Sequence, residues 1–194
     1  MNISIKKICV NIIVVTSCIL MIACGEAKGS TALIENLQIP DFAHDTPTGE
    51  ITADALVKQN FVSHVNEISQ IELYGATYMR TNKGLVNITL TDSQNTLIAS
   101  WQLEASQFMD NTKISLDMNG DAHIGENAIT GAGIVDITKN KKLKGKELAI
   151  TISSPDGIPG SSVTFWTTQE DVYPDGCVNI GGYDWYNDLW FNVY

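Results

Sequence analysis

The stretch VNITLTDSQNTLIASWQL, residues 86–103, indicates the fold class. Apolar residues occupy every second position on both sides of a turn-forming DSQN segment at residues 92–95. They are Val86, Ile88 and Leu90 before the turn, and Leu97, Ala99, Trp101 and Leu103 after it. A period of two is typical of a strand with one buried face. The stretch therefore predicts two paired antiparallel strands whose shared apolar face, including Trp101, points into a core.

The same alternation recurs along residues 48–194, with polar residues such as Thr89, Ser115 and Thr151 opposite the apolar ones. The further sets are Ile71, Leu73, Gly75 and Thr77; Ile114, Leu116 and Met118; Leu148, Ile150 and Ile152; Val163 and Phe165; and Leu189, Phe191 and Val193. Only residues 104–112 predict a helical turn. Seven such strands predict an all-β protein, an antiparallel β-sandwich forming a single domain over residues 48–194.

The first residues have the pattern of a secretory signal peptide. Lys6 and Lys7 precede an apolar run over residues 8–23, which is shorter than the roughly 20 residues that a membrane-spanning helix needs. The run ends Leu20-Met21-Ile22-Ala23-Cys24-Gly25, which resembles the bacterial lipobox. The resemblance implies cleavage after residue 23 and acylation of Cys24. We expect residues 24–47 to be the lipidated cysteine and a tether.

Two alternatives to this anchor stay open. Val15-Thr16-Ser17-Cys18 is a second acceptable lipobox, but cleavage there would leave the apolar residues 19–23 on the mature protein. The other alternative is an uncleaved N-terminal anchor helix. Acylation at Cys24 implies a cell-envelope location, and Gly25 after the cysteine resembles cargo of the outer membrane if the organism is Gram-negative.

The charge of the chain limits its partners. Removal of the leader leaves 10 basic and 22 acidic residues, a formal net charge of −12. Such a surface repels nucleic acid, and it disfavours peripheral docking on anionic lipid. We therefore expect the lipid anchor to hold the protein at the membrane, and we expect no nucleic-acid partner.

Several phrases occur in one order along residues 48–194. They are GEI at 49–51, ATYMRTNKG at 76–84, KGK at 144–146, ISSPDG at 152–157, VTFW at 163–166 and DLWFNVY at 188–194. Together they resemble the jelly-roll accessory modules of bacterial cell-surface polysaccharide proteins and membrane glycosyltransferases, which are similar in shape to galactose-binding-like sandwiches. The resemblance implies a jelly-roll-like fold and contact with glycans. Residues 118–140 are longer than the corresponding link of that family, and their role stays open.

The aromatic residues near the C-terminus form the first candidate binding site. Strand phase places Trp101 and Phe165 on core faces, and Trp166, Trp190 and Tyr194 on the opposite faces. Sugar-binding proteins place flat aromatic rings against the apolar faces of sugars, beside polar groups. The candidate ligand-binding residues here are Tyr183, Asp184, Trp185, Tyr186 and Trp190. The structural alternative is an aromatic plug over the end of the sandwich.

A second candidate set consists of Tyr78, Arg80 and Asn82, which a strand would place on one face. The alternative for Arg80, the only arginine of the chain, is an ion pair with a nearby acid. We expect no cofactor and no metal ligand set, because Cys177 and the three histidines lack ligand spacing. A structural calcium held by Asp156, Asp171, Asp175 and Asp184 is the alternative that their acidity leaves open.

The sequence contains no motif that pairs a nucleophile with a base, and no spacing singles out two carboxylates. We therefore expect a non-catalytic surface lipoprotein that binds cell-envelope or exogenous carbohydrate. The first alternative is a scaffold or assembly lipoprotein that binds a protein partner of an envelope export or polysaccharide system. The second is an unassigned hydrolase.

Overall fold

The computed structural model describes residues 46–194, and these residues form a sandwich of two antiparallel sheets. The strands are β1 (Thr46–Pro47), β2 (Val57–Val62), β3 (Gln70–Ala76), β4 (Leu85–Asp92), β5 (Leu97–Glu104), β6 (Thr112–Asp117), β7 (Ala122–Ile124), β8 (Asn127–Ile129), β9 (Gly133–Val135), β10 (Glu147–Ser153), β11 (Thr164–Thr167), β12 (Val178–Ile180), β13 (Tyr183–Asp184) and β14 (Phe191–Val193). The predicted all-β antiparallel sandwich is confirmed. A single 3₁₀ turn at Ala105–Gln107 confirms the predicted helical turn.

The predicted signal peptide, Cys24 and nearly all of the predicted tether lie outside the described residues. The first strand, β1, covers the last two residues that the sequence assigned to the tether. Among residues 46–194, no helix has the length and apolar character needed to cross a membrane.

Each sheet contains seven strands. The first sheet has the order β1-β11-β3-β6-β7-β8, and β14 also pairs with β3. The second has the order β13-β12-β2-β10-β4-β5-β9. Strands β11 and β14 pair with successive parts of β3, where Phe165 lies opposite Gly75 and Phe191 lies opposite Leu73.

The core lies between the sheets and contains the residues that alternation predicted. Trp101, Phe165 and Ile88 are buried, whereas Gln102 on the opposite face is exposed. Aromatic rings join the layers, with 5.5 Å between the ring centroids of Phe61 and Phe191. Each fully buried large apolar side chain contributes about 1.5–3 kcal/mol, so this core is the main source of stability.

The prediction for Leu97 is wrong. Its side chain is exposed, and Ile98 is buried in its place. The pairing between β4 and β5 is irregular at Leu90/Thr91, where Ala99 pairs with Leu90 and Leu97 pairs with Thr91. This bulge inserts one residue into β5, which reverses the face of the residue before it.

The segment 118–140 crosses from one sheet to the other. Its first part forms β7 and β8, which extend the first sheet beyond β6. Its second part forms β9, which pairs with β5 at the edge of the second sheet. The Gly133 N–H donates to the Gly120 carbonyl oxygen at 2.7 Å. The segment thus closes one side of the sandwich.

Gly133 is the point at which β9 meets the core, and we expect Gly133→Val to destabilise the fold. A Cβ atom at residue 133 would lie 2.4 Å from Trp101 Cδ1 and 2.7 Å from the Ser100 carbonyl oxygen. The clash involves backbone and a buried indole, so the expected loss is about 1–3 kcal/mol of unfolding free energy, measured by urea denaturation. Ile134→Ala, an exposed neighbour, should change it by less than about 0.5 kcal/mol. Equal midpoints for Gly133→Val and the wild type would contradict this packing.

Candidate functional site

An exposed cluster of aromatic side chains lies at one edge of the second sheet. We call residues 178–186 the aromatic hairpin; they comprise β12, the turn Gly181-Gly182, β13 and the two residues after it. Tyr183 is 78% exposed, Trp185 is 41% exposed and Tyr186 is 79% exposed. The structure therefore brings together three of the predicted ligand-binding residues and leaves their rings open to solvent.

The local sequence explains why this hairpin forms. Ile180 pairs with Tyr183, so the turn has only two residues, Gly181 and Gly182. Both have positive φ, at 60° and 89°. A two-residue hairpin turn of this type requires positive φ at both central positions, which glycine adopts without steric cost.

Asn179 and Asp184 give the aromatic hairpin a polar side. Asn179 Nδ2 donates to Asp184 Oδ1 at 2.8 Å, and Asn179 Oδ1 accepts from the Gly182 N–H at 3.1 Å. The predicted residue Asp184 is exposed, so its carboxylate is open to solvent on the same hairpin as the rings. Sequence reasoning did not identify Asn179. The Gly181-Gly182 pair is the signal that would have placed Asn179 opposite Asp184.

A buried polar network fixes the root of the aromatic hairpin. The Asp188 carboxylate accepts from Gln59 Nε2 at 3.0 Å and from the N–H groups of Val172 and Tyr173 at 3.0 and 2.8 Å. Asn187 Nδ2 donates to Thr167 Oγ1 at 2.9 Å. These bonds hold the chain after Tyr186, and we therefore attribute a supporting role to Asp188 and Asn187.

The prediction that Trp190 belongs to an accessible binding surface is wrong. Strand phase placed it correctly on the outer face of the first sheet, but its side chain is only 6% exposed. The Trp190 ring packs against Tyr74 with 5.4 Å between centroids, and Lys113 Nζ lies 5.8 Å from its centroid. Neighbouring side chains cover the ring, so Trp190 stabilises the sheet.

The second candidate set does not form one surface. The strand β3 ends at Ala76, and Tyr78 has a φ of 55°, so the strand alternation that the prediction assumed does not apply. Asn82 is fully buried and its Nδ2 donates to the Thr77 carbonyl oxygen at 3.3 Å. Asn82 is therefore inaccessible to a ligand, and that prediction is wrong.

Arg80 takes the structural role that the sequence left as an alternative. Its guanidinium forms an ion pair with Glu50 and donates to the Ser162 carbonyl oxygen at 3.3 Å. The same group lies 4.9 Å from the centroid of the Tyr78 ring. Hydrogen bonds from the Gly160 N–H and from Arg80 hold the pKa of Glu50 below its usual value. Arg80 thus joins three loops, and only Tyr78 of this set is exposed.

The four aspartates that the sequence offered as calcium ligands do not converge. Within residues 46–194, no group of three or more His, Cys, Asp or Glu side chains is arranged to hold a metal ion. Asp156 instead accepts from the Leu85 N–H at 2.8 Å. Cys177 is partly buried, and burial raises the pKa of its thiol.

Burial raises the pKa of Asp188 to about 6, although the N–H groups around its carboxylate act in the opposite direction. Its contribution to stability is therefore fully present below the unfolded-state pKa near 4 and is lost as the pH rises through about 6. Acids whose pKa is lowered in the folded protein, such as Glu50, instead make the unfolding free energy rise with pH. The difference between the wild type and an Asp188 variant isolates this group.

Asp188 is expected to make the unfolding free energy fall between pH 4 and pH 7, and the Asp188→Asn variant should lack this fall. Urea unfolding of both proteins across this pH range measures the difference. The variant is also less stable at every pH, because an amide cannot accept all three N–H bonds. Asp54→Asn, the same charge change at an exposed loop residue, serves as the control. If the unfolding free energies of Asp188→Asn and the wild type change in parallel with pH, Asp188 does not titrate in this range.

No protein-family model matches the chain, and a search of curated proteins found none with significant similarity to it.

Proposed function

We propose that this chain is a membrane-anchored lipoprotein of the bacterial cell envelope whose sandwich binds carbohydrate through the aromatic hairpin. The observation that carries the proposal is the exposure of Tyr183, Trp185 and Tyr186 on one short, hydrogen-bonded hairpin. No catalytic role forms part of the proposal.

The chemistry of the hairpin suits a sugar ring. The C–H face of a pyranose is apolar and packs against a flat aromatic ring, while its hydroxyl groups need hydrogen-bond partners. Asp184 supplies exposed carboxylate oxygens on the same hairpin, and the Asn179 amide holds Asp184 in place. Because Asn179 also bonds the Gly182 N–H, the turn is ordered before any ligand arrives. The resemblance of residues 48–194 to jelly-roll accessory modules supports the same ligand class.

The anchor rests on the sequence of the leader. Lys6 and Lys7, the apolar run and the Ala23-Cys24-Gly25 site together support lipidation at Cys24. Each buried methylene of an acyl chain contributes about 0.8 kcal/mol, so two or three long chains hold a protein at a bilayer effectively permanently. The proposed location is the cell envelope, and the outer membrane if the organism is Gram-negative.

A second candidate function, docking of a protein partner, has its own supporting observation. Strand β9 is an edge strand of the second sheet, and Ile134 on it is 77% exposed. Ile137, which follows β9, is also exposed. An edge strand with exposed apolar side chains is a site at which a partner chain can add a strand. An assembly or scaffold role at an export or polysaccharide system would use this edge.

We expect Trp185→Ala to weaken glycan binding about five- to thirtyfold, because truncating an aromatic residue at the centre of a contact costs roughly 1–2 kcal/mol. The measurement is a glycan array with the wild type, followed by calorimetric titration of the best ligand. Tyr183→Ala and Tyr186→Ala should each weaken binding, and circular dichroism should show that the sheets remain folded.

Ile134→Ala is the matched control for these variants, since it removes an exposed apolar side chain at the opposite edge of the same sheet. It should leave the glycan affinity unchanged. An array without any bound glycan would count against carbohydrate binding. Cross-linking of a partner in envelopes that Ile134→Lys abolishes and Trp185→Ala preserves would favour the protein-docking function.

Cys24→Ala should abolish acylation and release the protein from the membrane fraction, because the thiol is the proposed acylation site. Intact-mass analysis of both proteins from expressing cells measures this directly. Cys18→Ala is the control and should leave acylation unchanged. Acylation that persists in Cys24→Ala and disappears in Cys18→Ala would move the anchor to the alternative lipobox.

A further inference from the structure

Basic residues are concentrated in one loop of an otherwise acidic protein. Five of the chain's 12 basic residues fall within residues 139–146, which we call the lysine loop. They are Lys139, Lys141, Lys142, Lys144 and Lys146, and all five are exposed. The net charge of the whole chain, −10, therefore conceals a cationic site.

The backbone of the lysine loop is fixed by the residues between the lysines. The Asn140 side chain accepts from the Ile68 N–H at 3.0 Å and donates to the Ile68 carbonyl oxygen at 2.7 Å. Leu143 is buried in the core, and the Gly145 N–H donates to the Ser63 carbonyl oxygen at 2.7 Å. Anchoring residues thus alternate with lysines, so the ammonium groups are presented outward from an ordered turn.

Most of these ammonium groups are not neutralised by the protein. Lys139 pairs with Asp136 at 3.2 Å and donates to the Leu97 carbonyl oxygen. The other four lysines take part in no ion pair among the described residues. The Asp92 carboxylate, near Lys146, accepts from the N–H groups of its own turn. Glu67 and Glu147 lie on adjacent segments, and these two exposed acids reduce the local positive charge without balancing it.

The lysine loop and the turn of the aromatic hairpin lie at opposite ends of the second sheet. The loop leads into β10, where Glu147 pairs with Val62 at the end of β2. The turn Gly181-Gly182 follows Ile180, which pairs with Val57 at the start of β2. A strand of this length spans about 20 Å. The sandwich therefore has a cationic end and an aromatic end.

Strand β1 runs away from the cationic end of the sandwich. Strand β1 is antiparallel to β11, and β11 is antiparallel to β3. Following the chain backward from Pro47 to Thr46 therefore leads toward the end at which β3 begins. That end of β3 follows Ile68, to which Asn140 of the lysine loop is bonded. The first described residue, Thr46, thus lies at the end of β1 that faces the lysine loop.

We propose that the lysine loop rests on the phosphate headgroups of an anionic bilayer and orients the anchored domain with the aromatic hairpin away from the membrane. This inference rests on the anchored part of the proposed function. Lysines near a negatively charged bilayer are attracted to it over about a Debye length. Because the remaining surface is acidic, the membrane repels it and favours this one end.

Lysine footprinting of the full chain tests the orientation. The protein, purified from the membrane fraction, is reconstituted into vesicles of neutral phosphatidylcholine or of an equimolar mixture with anionic phosphatidylglycerol. An amine-acetylating reagent and peptide mass spectrometry then give the modification rate of each lysine. We expect Lys141, Lys142, Lys144 and Lys146 to react several-fold more slowly in anionic vesicles, and Lys58, Lys83 and Lys113 to keep their rates. The protection should disappear in about 1 M NaCl, where the Debye length is about 3 Å.

A matched variant separates this contact from the anchor. Replacing the four free lysines with glutamine should leave the vesicle-bound fraction unchanged, because the lipid anchor and not the loop holds the protein on the vesicle. In anionic vesicles the variant should lose its preferred orientation, so that Lys139, the one lysine of the loop that remains, loses the protection that it has in the wild type. Circular dichroism checks that the sheets are retained.

Equal rates at the four lysines in both lipids would overturn the proposal, as would protection of every lysine alike. Protection by a soluble phosphate polymer but not by anionic vesicles would reassign the loop to a soluble anion and also overturn it. Failure of the anchor gives a different result, because the wild type would then not remain with neutral vesicles at all. Failure of carbohydrate binding at Trp185 leaves these rates unchanged.

Discussion

The structure depends on a buried hydrogen-bond network that joins the two sheets through Gln59 and Asp188. Gln59 lies on β2 of the second sheet, fully buried, where its Nε2 donates to Asp188 and its Oε1 accepts from the Leu189 N–H at 2.7 Å. The chain continues directly from Leu189 into β14 of the first sheet. A buried amide and carboxylate without partners would cost several kcal/mol, so these groups require one arrangement of the C-terminal segment. The aromatic hairpin precedes this network and takes its position from it.

The same network explains which part of the fold the sequence did not reveal. Strand β2 carries Val57, Gln59 and Phe61 on its core face, and the central polar residue interrupts the apolar alternation by which strands are recognised. The strands whose core faces are entirely apolar, such as β4 and β10, were predicted, because burial alone determines their phase. Strands β7, β8, β9, β12 and β13 have two or three residues each, too few to establish a period.

The sequence predicted the exposure of side chains correctly in the loop before the last strand and wrongly where tertiary contacts determine accessibility. The alternation of the last strand assigns Trp190 to the outer face, and this is its position. Alternation gives no information about Tyr74 and Lys113, which cover the ring from neighbouring strands. Asn82 became inaccessible for a related reason, because the chain turns after Ala76 with positive φ at Tyr78 and Met79. Tyr183, Trp185 and Tyr186 follow a two-glycine turn at a sheet edge, where few neighbours can cover them.

Two kinds of surface, aromatic and cationic, are separated along the strands of one sheet. A sandwich has loops at both ends, and its antiparallel pairing fixes which loops share an end. Asp92 and Ser63 lie beside the lysine loop at one end of the second sheet. The Gly181-Gly182 turn lies near Leu56 at the other end. Net charge is a sum over the whole surface and carries no information about this separation. A chain that repels anionic surfaces on average can therefore still present one attractive end to them, because screening limits each contact to the nearest charges. The distribution of charge over the two ends, and not the net charge, therefore decides which end of the sandwich an anionic surface attracts.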